Sequence, residues 1–373
     1  MVHVSEIKEF ISPLLDRQIE EYNICCPLHY FAIVKLNEIL VKNGYELIHP
    51  EGMYFLRSRK EFVYIIRDDN SFTLQVFTTL ERSELEELFV GAFNQEYKNK
   101  YVLIQGLSRK IKTCFNSPSF DKIKHTLSQS VVSILENRLW NYREFCARYS
   151  STGLSNTLGI LLYAPPGFGK SFILRSFLNK MILEKDFTVV QVYQRSVSKL
   201  NLAQLLDSCK FLFPCVLFIE DIDLRFKDRH EANFGESIAG DLLETFEGMH
   251  QVENVVLIAT SNSVDVIEKA LLRPGRFDYL LEIEKPSRHA KELALSKLID
   301  EVDIEIPTEL AEKLIEESET FAELKGAFQH VVMKFLSTAE FPHSEEISQL
   351  TNQWKETRIN GISIMDHRKL GLI

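Results

Sequence analysis

The stretch Gly159–Leu178, GILLYAPPGFGKSFILRSFL, decides the reading of this chain. It opens as an apolar run of strand character, passes through a loop of small residues and proline, and continues in a helical pattern. Small residues let consecutive backbone N–H groups turn inward around anionic oxygens, and a helix that starts at the loop adds the positive end of its dipole. The G-x-G-K-[ST] string at Gly167–Ser171, set between strand and helix, therefore predicts a phosphate-binding loop. Its binding residues are Pro166, Gly167, Phe168, Gly169, Lys170, Ser171 and Phe172. Lys170 is placed to lie along the β and γ phosphates of ATP, and the Ser171 hydroxyl to ligate Mg2+. The full loop pattern begins with Gly, and that position here holds Ala164.

Downstream, VLFIEDID at Val216–Asp223 is an apolar strand that ends in acids. Carboxylates at the end of a buried strand cost desolvation unless something positive meets them, and a hydrated magnesium ion does so. Glu220 is expected to face the metal's water shell, which makes it a second metal residue beside Ser171, and Asp221 to polarise the attacking water. Around these motifs GILLYA, FTVVQVY, PCVLFIED and NVVLIATS are near-continuous apolar runs, as strands buried on both faces of a parallel sheet should be. Residues 121–285 are thus expected to form an α/β core. Beyond Pro286 the patterns RHAKELALSKLIDEV, PTELAEKLIEES and FAELKGAFQHVVMKFLS predict a small helical lid over 286–340, followed by a helix and tail over 341–373.

Residues 1–120 are of mixed α+β character. Leu28, Phe31, Ala32, Leu36, Ile39 and Leu40 recur at helical spacing before Gly44. Two β-rich runs flank Asp68, Asp69 and Asn70, which predicts a hairpin. Ser83 followed by Glu86 predicts a capping-box helix start. No catalytic constellation is visible in this part, and substrate or partner recognition is assigned to it.

Composition narrows the function. Of 373 residues, 45% are hydrophobic and 26% charged, with only 15 Gly and 11 Pro, which excludes fibrous and disordered classes. The net charge of -10 offers no general attraction for phosphate backbones or anionic lipid. The basic stretch with Lys98, Lys100, Arg109, Lys110 and Lys112 reads as solvated surface. The longest apolar run, Phe211–Ile219, is far short of the ~20 residues of a membrane helix, so a cytoplasmic protein without membrane contact is expected. Six dispersed cysteines without a C-x-x-C pair suggest reduced structural thiols.

At this point the sequence resembles the AAA family of ATPases over residues 121–340. The resemblance runs through DLLETFEGM at Asp241–Met249 and VVLIATSNSVDVIEKALLRPGRFD at Val255–Asp278. It implies that Asn262 orients the hydrolytic water and that Arg273 and Arg276 reach the nucleotide of a neighbouring subunit. It also implies a homo-oligomeric ring, a hexamer or heptamer, that acts as a chaperone-like remodeller or translocator of a protein substrate. The order Glu220–Asp221 in IEDID, and LENRLWNYREFCARYSSTGLSNTLGILLYAPPG with Trp140 and Tyr142, look like the Bcs-type mitochondrial respiratory-assembly branch. The family usually has Asp then Glu there. QRSVSKLNLAQLLDSCK lacks the aromatic-hydrophobic-Gly loop of threading members, and the lid's FAELKGAF places Leu324 near the base with no second sensor arginine. Two other readings stand beside the ring ATPase: an ATP-dependent scaffold or switch with slow hydrolysis, and a DNA-acting ATPase that must contend with the acidic charge.

Overall fold

The computed structural model describes residues 18–25, 27–49, 53–56, 59–68, 73–105, 108–113, 119–149, 158–192, 202–223, 255–265, 267, 276–302 and 304–359. Two compact units emerge: Met1–Asn116 with Asn137–Leu161 and Leu178–Leu280, and Ser117–Glu136 with Leu162–Phe177 and Leu281–Ile373.

The first unit begins with an antiparallel sheet of β1 (Glu20–Cys25), β2 (Glu46–His49), β3 (Met53–Leu56), β4 (Glu61–Asp68) and β5 (Thr73–Thr78), ordered β1-β5-β4-β3-β2. The expected hairpin is β4–β5, paired from Val63↔Thr78 to Asp68↔Thr73. Period-two alternation sends Val63 and Ile65 to one face, into a core with helices α1 (Pro27–Lys42) and α2 (Arg82–Glu96), while Phe62 and Tyr64 cluster with Phe77 on the other. On α1 the buried stripe runs through Ile33, Leu36 and Leu40. Helix α2 starts two residues earlier than Ser83 predicts, because the Glu84 carboxylate reaches back to accept from the Glu81 N–H at 2.8 Å and caps the turn there.

The second sheet has seven strands: β6 (Tyr101–Gln105), β7 (Ser108–Lys112), β8 (Leu158–Tyr163), β9 (Thr188–Val192), β10 (Cys215–Ile219), β11 (Val255–Ser261) and β12 (Tyr279–Glu282), ordered β12-β8-β11-β10-β9-β6-β7. Pairs β9–β10, β10–β11 and β6–β9 are parallel, and β6–β7 is antiparallel. Strands β9, β10 and β11 are buried at every residue, as their apolar runs require. The sheet draws β6 and β7 from before residue 120, so the expected N-terminal boundary does not separate the two sheets. Nor are their cores separate. Leu36, Leu40, Phe89 and Phe93 join Leu205, Leu206 and Cys209 of α6 (Leu202–Cys209) and Leu217 and Ile219 of β10 in one hydrophobic cluster. Between β7 and α6, after a single helical turn at Phe120–Ile123, come α3 (Gln129–Ile134), α4 (Tyr142–Tyr149) and, between β8 and β9, α5 (Lys170–Lys185). Tyr142 is buried, and Trp140 is faced by the Lys180 and Lys185 ammonium groups, each 5.1 Å from its ring centroid.

In the second unit, α7 (Arg288–Val302), α8 (Thr308–Glu317), α9 (Phe321–Thr338) and α10 (Ser344–Ile359) pack around Leu295, Leu310, Leu314, Leu324, Phe328, Val331 and Ile347. The last of these brings α10 into the lid, past the boundary expected at 340. Lys291 donates to the Ile315 and Ser318 carbonyls at the end of α8, and burial, with help from Lys285 and Arg288, lowers its pKa.

Candidate functional site

The loop after β8 has the backbone that its glycines predict. Gly167 and Gly169 take φ of +85° and +91°, and a Cβ at Gly169 would come within 2.8 Å of Phe321. Lys170 opens α5 almost fully buried, its ammonium donating to the Ala164 carbonyl at 2.7 Å. The N–H of Ile173 donates to the Gly169 carbonyl at 2.9 Å and starts the helical ladder. Ala164 is itself buried, while Pro166 is exposed and Gly167, Phe168, Ser171 and Phe172 are half-buried.

The lid helix meets this loop. The Phe321 N–H donates to the Gly167 carbonyl at 3.0 Å, and the Phe321 ring lies 6.3 Å from that of Phe172. Thr320 caps α9: its hydroxyl accepts from the Glu323 N–H, and the Glu323 carboxylate accepts from the Thr320 N–H. Beside the loop a cavity of about 320 Å³ is lined by Phe168, Phe172 and Phe321, with Lys122, Lys297 and Asp300 adding charge. Leu324, expected near a base, is fully buried in the lid core with Leu314 and Phe328 instead, and Phe321 is the residue of this turn that lines the cavity.

The acids and Asn262 belong to the first unit. Glu220, at the end of β10, is 8% exposed, and its Oε2 accepts from the Gln191 side-chain amide at 2.7 Å. Asp221 adopts φ +50°, a left-handed backbone rare outside glycine, and its N–H donates to the Thr260 hydroxyl at 3.0 Å. Asp223, fully buried, accepts from the Asn262 backbone N–H at 3.0 Å and from its side-chain amide at 3.2 Å. This third acid of IEDID fixes Asn262, a role the sequence reading did not assign.

Arg276 is half-buried and belongs to a stitched turn. The Asp278 carboxylate accepts from the Gly159 N–H at 2.8 Å, and the Asp278 N–H donates to the Gly159 carbonyl at 2.9 Å. A Cβ at Gly159 would lie 1.9 Å from the Arg276 carbonyl oxygen, so only glycine admits this approach. Arg273, Asp241–Met249 and the 194–200 segment lie outside the described residues. Gln191 was also missed, although an amide within TVVQV is a visible signal, since a polar group in a buried strand needs a partner.

The loop's own residues fit phosphates: the two left-handed glycines leave a cradle that a Cβ would fill. Taken singly, the Ser171 hydroxyl and the Glu220 carboxylate are oxygen donors of the kind Mg2+ takes, an ion that keeps waters and needs few protein ligands. Among the described residues no helix is long and apolar enough to cross a membrane, and no group of three or more His, Cys, Asp or Glu could hold a metal.

Residues 160–285 match the family described as "ATPase family associated with various cellular activities (AAA)". The chain is 31% identical over 189 residues to an ATP-dependent zinc metalloprotease FtsH of Pseudomonas putida, covering 48% of this chain and 29% of that protein. It is 25% identical over 272 residues to a 26S proteasome regulatory subunit 8 homolog of Schizosaccharomyces pombe, covering 68% and 60%. A cell division cycle protein 48 homolog of Archaeoglobus fulgidus is 27% identical over 222 residues, covering 56% and 30%. The chain thus spans less than two thirds of each of these relatives. With the loop after β8, the acids after β10 and Asn262 after β11 in a sheet ordered β12-β8-β11-β10-β9, residues 160–285 are an AAA ATPase domain, related to those of the FtsH, proteasome and Cdc48 proteins.

Proposed function

We propose that this chain is a Mg2+-dependent ATPase that works as a homo-oligomeric ring, a hexamer or heptamer, and remodels or translocates a protein substrate in the cytoplasm. The observation that carries it is the loop Gly167–Lys170, whose left-handed glycines and buried lysine form an anion cradle at the start of α5. Lys170 would exchange the Ala164 carbonyl for β and γ phosphate oxygens, with Pro166 to Phe172 wrapping the phosphates. Phe168, Phe172 and Phe321 give the adjoining cavity aromatic walls suited to a base. Magnesium, when bound, would neutralise charge on the phosphates, held by Ser171 and through the water shell by Glu220. Asp221 would polarise the attacking water, and Asn262, fixed by Asp223, would orient it.

Arg273 and Arg276 from a neighbouring subunit would stabilise charge spreading over the γ-phosphoryl oxygens, an effect worth about 10^3 to 10^5 in rate in other NTPases. The order Glu220–Asp221 keeps the Bcs-type branch within this proposal. Recognition of the substrate is assigned to the N-terminal part. A nucleic-acid substrate is disfavoured by the net charge of -10, and Lys100 of the basic stretch is engaged with the Gln95 and Glu96 carbonyls at the end of α2. A second reading, an ATP-assembled scaffold with slow hydrolysis, is favoured by one observation: the shorter acid of the reversed pair, Asp221, sits on constrained backbone.

The test is steady-state ATP hydrolysis with Mg2+ across a protein concentration series, with oligomer size recorded on the same samples. Turnover per subunit should rise steeply as the ring assembles, while ATP-dependent assembly without turnover would select the scaffold. Lys170→Ala should abolish nucleotide binding or nearly so, measured by titration with a fluorescent ATP analogue; unchanged affinity would remove the loop from the site.

A further inference from the structure

The acid at the end of β10 is held by a chain of side chains that begins outside the AAA match. The Tyr101 hydroxyl, on β6, lies 2.7 Å from Gln191 Oε1, and Gln191 Nε2 lies 2.7 Å from Glu220 Oε2. Tyr101 and Gln191 are fully buried. The register explains how three strands produce one line. Tyr101 pairs with Val189 and Phe218 with Gln191 in parallel ladders, and side chains two residues apart share a face. Tyr101, Gln191 and Glu220 therefore project from the same face of the sheet.

The chemistry of the line is directional. An amide oxygen only accepts, so the tyrosine hydroxyl must donate to it, which leaves the amide N–H₂ facing Glu220. A carboxylate accepts from that donor, whereas a flipped amide would set two acceptors 2.7 Å apart. The hydroxyl of Tyr101 also satisfies the Gln191 oxygen inside the sheet, where an unmet acceptor is costly.

We infer that Tyr101 is a positioning residue for the magnesium-facing acid: through Gln191 it holds the Glu220 carboxylate in the orientation that the metal's water shell requires. Residue 101 precedes the matched segment 160–285 and belongs to the strand that the N-terminal part adds to the sheet. The inference rests on the reading of Glu220 as a metal residue.

Three variants test it: Tyr101→Phe, which removes one oxygen and keeps the ring, Gln191→Met, which keeps the volume, and the double variant. Affinity for a fluorescent ATP analogue is measured in EDTA and across a Mg2+ titration, with thermal unfolding of each protein alongside. Tyr101→Phe should leave the affinity in EDTA unchanged and raise the Mg2+ concentration for half-maximal effect about 10-fold, the scale seen when a metal ligand loses its supporting partner. Gln191→Met should do at least as much, and Tyr101→Phe should add nothing in its background. An unchanged Mg2+ response in Tyr101→Phe beside a responsive wild type overturns the inference alone. So do additive effects in the double variant, or equal losses in EDTA and Mg2+, which mark a general structural role. If Tyr101→Phe does not fold, the Gln191→Met titration decides, and a wild-type-like Mg2+ response there overturns the inference. A wild type whose ATP binding and turnover both ignore Mg2+ overturns the functional reading and, with it, this one.

Discussion

Gly169 and Asp221 both occupy left-handed backbone, the first at no steric cost and the second against its side chain. At Gly169 the conformation makes the sharp turn of the loop, and Phe321 fills the space a side chain would need. Gly169→Ala should therefore cost about 1–3 kcal/mol of stability from the strained backbone and weaken ATP binding more than 10-fold. Thermal unfolding and nucleotide titration check both halves. At Asp221 the strain is held by Thr260, and it sits on the residue proposed to polarise water. Asparagine tolerates the left-handed region at least as well as aspartate, so Asp221→Asn changes the charge and spares the backbone. ATP should stay bound at wild-type affinity while turnover falls about 10^2 to 10^4-fold. Wild-type turnover in single-turnover assays would remove Asp221 from the mechanism. The motif residues Gly167 to Ser171, Glu220, Asp221 and Asn262 can be picked out along the chain because such motifs are built of near neighbours in sequence. Tyr101, Gln191, Asp223 and Asp278 cannot, because each acts across strands through a register that no local pattern contains.

Helix α9 shows how an element inherits a site from its cap. Thr320 and Glu323 close the first turn on each other, and the next residue, Phe321, gives its N–H to Gly167 and its ring to the cavity. Thr320→Ala should lower stability by about 1 kcal/mol, as for other N-cap deletions, and loosen the Phe321 contact with the loop. A several-fold weaker ATP affinity with unaltered turnover at saturation is the expected kinetic signature, read from initial rates against ATP concentration. The three lid helices and the four central strands matched their sequence patterns within about two residues, since amphipathic period and apolar run length are local properties. The pairing of β6 with β9 escaped the reading for the opposite reason. YVLIQ declares a strand, but the choice of sheet is made by a partner far along the chain.

At the scale of the molecule, the N-terminal helices and the ATPase sheet are one core rather than two. A variant lacking residues 1–120 would strip β6 and β7, leave β9 as an edge strand, and expose Leu205, Leu206 and Leu212. It should aggregate, as solubility and dye binding to exposed apolar surface would show; a soluble, fully active truncation would contradict the shared core. Ring assembly has its own test. Mixing Arg276→Ala with Asp221→Asn subunits should restore part of the turnover that each lacks alone, because the two defects fall on different interfaces of a shared site. No recovery at any ratio would argue against residues contributed between subunits.

The continuity of that core bears on how mechanical work could pass through the protein. A recognition element on a flexible tether swings freely and loses load as slack, but here helix α2, which shares the core of β4 and β5, packs Phe93 against Phe211 in the turn that leads to β10. Tension applied at the N-terminal sheet would arrive at β9 and β10 as strain in the frame that bears Glu220. Were a cargo pulled there, as the proposed function would have it, such a chassis would let the load be felt at Glu220 itself.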